Sequence, residues 1–254
     1  MFTIDFNPTL FELGPFEIRY YSLFYLLGFF VLFLCIKYFS RKGYISLDTK
    51  KTEDFLFYVI LGLLIGARAG YFLFYEIGSL FSLELFKVWH GGMSFHGGLI
   101  GTIAAVLFFS KKHKKKFWPM LNITAVAAAF SLMLGRIGNF INGELVGTKF
   151  NGPWCAVFVN YDNACRHPYP IYASVSHLIL LVYLGVLLYI NRERIKEYLE
   201  TKMITVNFLI GYGLLRIITD IWKVDNVLLG VKMGQWLSIL MIIFGIWLWK
   251  KKSN

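Results

Sequence analysis

Charged residues are scarce in this chain. Asp, Glu, Lys and Arg make up 16% of its 254 residues, whereas soluble domains contain about 25%. Hydrophobic residues reach 57%, and the mean hydropathy is +0.59. One oversized core cannot absorb this excess, because chain size limits the fraction of surface that folding buries. The composition therefore excludes an ordinary soluble domain and indicates several apolar spans of about 20 residues, each able to cross a bilayer.

Cysteines are few, and low-complexity or Gly/Ser-rich linker segments are lacking. Without linkers, residues 1–254 are predicted to form a single polytopic membrane domain. The three cysteines have no metal-ligand spacing, and neither a metal nor another cofactor is predicted. Cys35 lies in an apolar run and is expected to pack there. Cys155 and Cys165 share one loop and could form a disulfide if that loop is extracytoplasmic.

Seven apolar segments account for most of the hydrophobic residues. Because lipid cannot satisfy backbone hydrogen bonds, spans of this length are expected to be helices. The predicted fold class is an all-α integral membrane protein with seven transmembrane helices. The segments are residues 20–38, 55–75, 93–110, 120–139, 171–190, 204–221 and 234–249.

Lysine and arginine alternate sharply between the connecting loops. One set of loops holds sixteen of the 26 basic residues, the other set holds six, and four fall inside the spans. The positive-inside rule makes the richer set cytoplasmic, so the N-terminus is predicted outside and the C-terminus inside. The net charge of +11 is explained by this topology, and no nucleic-acid partner is predicted.

Polar residues gather toward the outer ends of the predicted spans. A charged side chain inside a membrane costs several kcal/mol unless it is paired or hydrated, so such residues are functional candidates. Independent segments bring theirs to a similar depth on the same side. The residues are Tyr21, Arg68, His96, Arg136, Asn139, Asn142, Glu144, Tyr212, Arg216 and Asp220.

The arginines among these residues point to an anionic ligand. Three arginines stand against only two or three nearby carboxylates, and the planar guanidinium fork matches phosphate. A phospholipid head group is the obvious anion at that depth. Two structural alternatives stay open: Tyr21 could belong to the interfacial aromatic belt, and Arg68 and Arg216 could pair with carboxylates of the chain. The candidate carboxylates are Glu76, Glu144 and Asp220.

The first motif covers residues 89–101 and reads WHGGMSFHGGLIG. Two glycine pairs flank a short turn that leads into the third span, and glycine permits left-handed backbone angles and close approach. His96 could accept a proton or donate to a phosphate. The alternative is that the glycines pack helices together and that the histidine only bonds a carbonyl.

The second motif covers residues 135–147 and reads GRIGNFINGELVG. Arg136 and Asn139 are three positions apart and share a helix face. The Asn142–Gly143 pair predicts a turn out of the membrane. Here the alternative is a small-residue packing interface followed by a loop.

These two motifs resemble the signature regions of bacterial prolipoprotein diacylglyceryl transferases. The resemblance extends along the chain through YYSLFYLLGF at 20–29, GARAGYFLFY at 66–75, RHP at 166–168, GYGLLRI at 211–217 and MGQWLSI at 233–239. It implies a seven-span protein of the plasma (inner) membrane that transfers the diacylglyceryl group of phosphatidylglycerol. The acceptor would be the lipobox cysteine next to the signal peptide of a preprolipoprotein, and glycerol 1-phosphate would be released.

The resemblance also assigns residues. Arg136 and Arg216 match the family's essential arginines, and further functional positions match Tyr21, His96, Asn139, Glu144 and Gly147. The sequence departs from the family pattern at several other positions. After RHP the usual Gln and Glu are replaced by Pro170 and Ala173, and after Arg216 the usual Glu and Arg are replaced by Asp220 and Lys223.

A mechanism follows from these assignments as a hypothesis. Arg136 and Arg216 would hold the phosphate and stabilise the departing glycerol phosphate, while Arg68 is a further candidate ligand. His96 would deprotonate or orient the thiol. Asn139 and Glu144 would position the arginines and the glycerol, and Tyr21 and Tyr212 would line the pocket. The alternatives are a catalytically silent relative that binds lipid or signal segments and, less favoured without an internal repeat, a small-solute transporter.

Overall fold

The computed structural model describes residues 2–7, 9–13, 16–79, 82–87, 91–225 and 227–251. Within these ranges the chain is mostly helical. Six helical segments are long and apolar enough to cross a membrane, which supports a multi-pass membrane protein. The helices are α1 Tyr20–Arg41, α2 Thr49–Tyr75, α3 Phe95–Lys112, α4 Phe117–Ile141, α5 Tyr169–Ile190, α6 Ile195–Glu200, α7 Met203–Thr219 and α8 Met233–Lys250.

Each predicted span corresponds to one long helix, but the boundaries differ. The α2 helix begins at Thr49 instead of residue 55, because Asp48 caps it by accepting a 2.8 Å hydrogen bond from the Lys51 amide. Its polar first turn carries no hydropathy signal. The predicted third span, 93–110, corresponds to α3, which has 18 residues, ends in two lysines and is not among the six membrane-length helices.

The chain divides into two compact units, residues 32–123 and residues 1–31 with 124–254. In the first, α2 and α3 pack through glycine. A Cβ added at Gly101 would lie 2.0 Å from the Gly62 carbonyl oxygen, and one added at Gly97 would lie 2.3 Å from that of Gly66. Only glycine allows backbones this close. The packing interpretation of the glycines at the start of α3 is therefore confirmed.

The second unit combines most of α4 and the helices α5 to α8 with short strands in the connecting segments. The strands are β1 Phe2–Ile4, β2 Thr9–Leu13, β3 Phe16–Arg19, β4 Ala156–Phe158, β5 Cys165–Arg166, β6 Val227–Leu228 and β7 Val231–Lys232. The order β1-β4-β5 forms a three-stranded sheet in which β1 runs parallel to β4, and β2-β3 and β6-β7 are antiparallel pairs. We call the β1-β4-β5 sheet and the loop 142–168 the head.

The head has its own small core and a disulfide. Ile4, Val146, Ala156 and Phe158 are buried together. Cys155 and Cys165 are joined by a disulfide, with their Cα atoms 5.4 Å apart. The sequence left this pairing open, and the structure shows the bridge across β4 and β5. Cys35 is a free, half-buried thiol in α1.

Candidate active site

The end of α4 holds the second sequence motif. Arg136 is half-buried and donates from Nη1 to Asn139 Oδ1 over 3.3 Å, so the two residues share a helix face as predicted. Asn139, itself buried, donates to Glu144 Oε2 over 3.1 Å, and Asn142 donates to the other oxygen, Oε1, over 3.2 Å. The helix ends at Ile141. Glu144, which lies beyond the helix end, therefore holds the side-chain amides of both Asn139 and Asn142.

The predicted turn at Asn142–Gly143 is confirmed. Gly143 has a φ of +67°, which glycine adopts without strain. Leu145 reaches a φ of +55° two residues later, where a non-glycine residue is uncommon. The chain thereby reverses direction within a few residues after Asn139.

The end of α7 forms a buried ion pair. Arg216 donates from Nε to Asp220 Oδ2 over 2.9 Å, and Tyr169 of α5 donates its hydroxyl to Asp220 Oδ1 over 2.6 Å. Asp220 is fully buried, and the Arg216 side chain is 11% exposed. A buried carboxylate is tolerated here because both oxygens accept charge-assisted or neutral hydrogen bonds. The structural alternative for Arg216, pairing with Asp220, is thus present.

Arg216 nevertheless has a hydrogen-bond donor that the ion pair with Asp220 does not use. Its Nη1 is buried and has no hydrogen-bond partner in the part of the chain that the structure describes. A Cβ added at Gly234 would lie 2.7 Å from Asp220 Oδ2 and 3.3 Å from Arg216 Nη2. The glycine therefore leaves room for the ion pair, while the guanidinium retains N–H groups for a further acceptor.

Arg136 and Arg216 interact with the same two buried residues. Arg136 and Arg216 each interact electrostatically with Tyr169 and with His177 of α5. The ring of His177 stacks on Tyr212 of α7, with centroids 5.4 Å apart and planes at 9°. Two sequence motifs more than seventy positions apart thus bring their arginines to one region of the second unit.

The head connects the ends of α4 and α7. Gly147 forms an antiparallel bridge with Lys223, flanked by hydrogen bonds of 3.1 Å from Val224 N to Val146 O and 2.8 Å from Thr148 N to Trp222 O. A Cβ added at Gly147 would lie 2.3 Å from the His167 carbonyl oxygen. This position requires glycine because another segment passes directly over it.

The pKa values of two groups at the head, Lys223 and Asp162, are shifted by their surroundings. Burial lowers the pKa of Lys223, and the nearby Arg216 charge lowers it further. The Arg166 hydrogen bond lowers the pKa of Asp162. Arg166 also donates to the Gly147 carbonyl over 3.0 Å, which fixes the Gly147 segment to β5.

Arg68 and His96 belong to the other unit. Arg68 is buried and donates all its N–H groups to backbone carbonyls. Nε bonds Leu85 O over 3.2 Å, and Nη2 bonds Glu84 O over 2.5 Å and Lys87 O over 2.9 Å. Nη1 bonds the Gly91 and Gly92 carbonyls. Its partners are therefore carbonyls and not the carboxylates considered from the sequence.

His96 lies in the first turn of α3 and is buried beside Phe95. Ser94 caps this helix by accepting from the Gly97 amide over 3.3 Å. Tyr21 falls in the first turn of α1, but its side chain lies outside the described part of the structure. Among the described residues no group of three or more His, Cys, Asp or Glu could hold a metal ion.

Three site residues escaped the sequence interpretation: Tyr169, His177 and Gly234. Tyr169 follows the RHP motif at a position that carries no pattern. His177 stands alone in an apolar helix, where a histidine is commonly a core residue. Spacing from Tyr169 and Ala173, at i and i+4, could have put His177 on the same face.

Comparison with known proteins identifies the family. The family described as prolipoprotein diacylglyceryl transferase matches residues 8–250. A protein of Solidesulfovibrio magneticus named phosphatidylglycerol–prolipoprotein diacylglyceryl transferase is 37% identical over 98% of this chain and 96% of its own length. Proteins of the same name are 38% identical in Polynucleobacter necessarius (98% of both chains) and 39% in Pasteurella multocida (95% and 90%). The chain belongs to the prolipoprotein diacylglyceryl transferase family.

Proposed function

We propose that this protein transfers the diacylglyceryl group of phosphatidylglycerol to the lipobox cysteine of preprolipoproteins and releases glycerol 1-phosphate. Family membership and the name shared by the relatives support the reaction. The observation that carries it in this chain is the pair Arg136 and Arg216. Among the described residues, Arg216 has a buried Nη1 without a partner and Arg136 makes one hydrogen bond, to Asn139. Both arginines also interact electrostatically with the buried Tyr169 and His177.

In this proposal the two arginines bind the phosphate. Each guanidinium can give a phosphate two parallel hydrogen bonds. As the bond between carbon and phosphate oxygen breaks, negative charge grows on the leaving glycerol phosphate, and fixed cations in a dry site stabilise it. Asp220 orients Arg216 and Asn139 orients Arg136, which supports a prearranged anion site.

The remaining residues receive supporting roles. Glu144 holds Asn139 and can accept hydrogen bonds from the glycerol hydroxyls. Tyr212 lines the head-group pocket, and the motif resemblance assigns Tyr21, whose side chain lies outside the described residues, to the same role. Gly147 keeps the head close to the site. His96 is assigned the role of orienting the incoming thiol. Arg68 acts indirectly, by holding the carbonyls of Gly91 and Gly92 that precede His96.

The proposal includes the topology. The 254 residues form one membrane domain with seven spans, in which α3 is the seventh, the N-terminus is outside and the C-terminus is cytoplasmic. The asymmetry of Lys and Arg between the loops supports this orientation. The site then faces the outer side of the plasma membrane, where a translocated lipobox cysteine becomes accessible.

The direct test combines purified protein, phosphatidylglycerol vesicles and a synthetic lipobox peptide. We expect release of glycerol phosphate together with a peptide whose mass has increased by one diacylglyceryl group. A peptide with serine in place of the lipobox cysteine and vesicles of phosphatidylcholine are the negative controls. Absence of both products with the cysteine peptide, from folded protein, would contradict the proposal.

A catalytically silent relative is the second candidate. It is favoured by Pro170 and Ala173, which replace the usual Gln and Glu of the family at the start of α5. Against it, Asp220 accepts a hydrogen bond from Arg216, and the Tyr169 hydroxyl donates to the same carboxylate, so this chain holds Arg216 with groups of its own. Binding of the lipid or peptide without product formation in the same assay would select this candidate.

A further inference from the structure

His177 is a buried histidine with an unused nitrogen beside both arginines. It is 3% exposed, and its Nδ1 has no hydrogen-bond partner in the described part of the chain. The ring stacks on Tyr212 and interacts electrostatically with Arg136 and Arg216. An unpaired polar atom at such depth costs free energy, so its retention calls for a reason.

The surroundings of His177 leave Nδ1 available as an acceptor. The imidazole lies near the backbone of Leu132 on α4, and Nδ1 has no hydrogen-bond partner among the described residues. The neighbouring Ser174 hydroxyl donates to the Met133 carbonyl over 3.0 Å, which ties α5 to α4. In the tautomer with the proton on Nε2, Nδ1 presents a lone pair.

The charged groups that act on His177 are Arg136 of α4 and Arg216 of α7. Arg216 is also paired with Asp220, which accepts from Tyr169 as well, and the Tyr212 ring stacks on the imidazole. A bound phosphate would offset part of the arginine charge and so favour proton transfer to the imidazole. A base of this kind becomes effective when the anionic lipid is in place.

We propose that His177 Nδ1 is the base that accepts the proton of the substrate thiol, a residue role that rests on the proposed function. The S–H bond breaks and its proton moves to Nδ1. The sulfur pair forms a bond to the glycerol carbon of the diacylglyceryl group. The C–O bond to phosphate breaks, and its electron pair leaves with glycerol 1-phosphate. The proton then passes from Nδ1 to water, which regenerates the neutral imidazole.

The test removes the base and keeps a polar side chain. His177→Gln supplies an amide but no base, and His177→Asn is a second non-basic variant. We expect kcat to fall by about 100-fold or more, with the KM for phosphatidylglycerol within about threefold of wild type. His113→Gln, a histidine stacked on Phe109, is the matched control and should keep full activity.

A selenocysteine peptide separates proton transfer from packing. Its selenol is already ionised near neutral pH, whereas a thiol has a pKa of about 8.5. The defect of His177→Gln should therefore largely disappear with this peptide, and with the cysteine peptide its rate should rise about tenfold per pH unit below the thiol pKa. Wild-type rates should show no such slope.

Two results would overturn the assignment. One is a rate of His177→Gln within about threefold of wild type at neutral pH, because an essential base contributes far more. The other is an equal defect with cysteine and selenocysteine peptides, which would make His177 only a packing residue. Failure of the proposed function looks different, since wild type itself would then give no glycerol phosphate with either peptide.

Discussion

Two pairs of arginines use their hydrogen-bond donors in opposite ways. Arg68 gives all its donors to backbone carbonyls, and Arg166 clamps Asp162 and the Gly147 carbonyl. Among the described residues, Arg136 makes a single hydrogen bond, of 3.3 Å, to Asn139. Arg216 uses Nε on Asp220 and leaves Nη1 unpartnered in the same part of the chain. The first pair is satisfied by the protein itself, whereas the second pair has donors left for an external acceptor.

This difference matters because burial and charge alone do not separate structural from ligand-binding arginines. Leaving a buried N–H unpaired costs about 1–3 kcal/mol, so such a group persists where a ligand completes it. Arg216 and Arg68 are both largely buried. Arg216 and Arg68 differ in how their hydrogen-bond donors are used. The following predictions distinguish structural from ligand-binding arginines on this basis.

The largest effect is expected from replacing the arginines with unused donors. Arg136→Lys and Arg216→Lys keep the positive charge but lose the planar fork. We expect kcat/KM to fall by about 100-fold or more, the size seen when one transition-state donor is removed. The measurement is the initial rate of glycerol phosphate release, with thermal unfolding as the control for folding. Rates within about threefold of wild type would remove these residues from phosphate binding.

Arg68→Met should instead affect stability. The variant removes the Arg68 hydrogen bonds to backbone carbonyls, and each such bond contributes about 0.5–1.5 kcal/mol. We expect a lower Tm and a much smaller loss of activity per folded molecule than in Arg216→Lys, measured by fluorescence-monitored unfolding and by titration of active protein. If activity per folded molecule fell as far as in Arg216→Lys, Arg68 would be a direct substrate ligand, as the sequence alone suggested.

Tyr169→Phe tests whether the Tyr169 hydroxyl helps to hold Arg216 through Asp220. The change removes one hydroxyl and leaves Oδ1 of the buried Asp220 without this donor. We expect a loss of stability of about 1–2 kcal/mol and a smaller loss of turnover than in Arg216→Lys. The exposed Tyr189→Phe is the matched control. An unchanged Tm and unchanged turnover would show that Asp220 holds Arg216 without help from α5.

The smallest expected effect is the pH dependence of the stability that the Arg166–Asp162 ion pair provides. The Arg166 hydrogen bond lowers the pKa of Asp162 in the folded head. The stabilisation is therefore fully present above the ordinary aspartate pKa of about 3.9 and is lost as pH falls through the lowered folded value. The Tm difference between wild type and Asp162→Asn should shrink on acidification. A difference that stays constant down to acid pH would contradict the ion pair.

The helices were predictable from the sequence because lipid imposes a long apolar run on each of them. Polar first turns of helices were not predictable from hydropathy. The α2 helix begins at Thr49 because Asp48 caps it, and a capping residue gives no hydropathy signal. The strands of the head also escaped, since segments of two to five residues carry too little periodicity. The disulfide depends on the compartment and on the distance between Cys155 and Cys165, and sequence supplies neither.

Part of the site was predictable for a different reason. Arg136 and Asn139 are three positions apart, so local spacing predicted their shared helix face, which the hydrogen bond between them confirms. The hydrogen bond from Asn139 to Glu144 lies past the helix end, where helical spacing gives no guide. The link from Arg216 through Asp220 to Tyr169 joins positions 51 residues apart, and only tertiary structure creates it. His177 escaped because its partners come from α4 and α7, which sequence spacing does not connect.

The most direct measurement of the central claim is the affinity for phosphatidylglycerol, determined by titration in detergent micelles. Wild type, the double variant Arg136→Met/Arg216→Met and Arg68→Met would be compared as folded protein. We predict that the double variant binds about 100-fold more weakly or worse, while Arg68→Met binds like wild type. Equal affinity of the double variant and wild type, or an equal loss in Arg68→Met, would contradict the claim that the unused donors bind the phosphate.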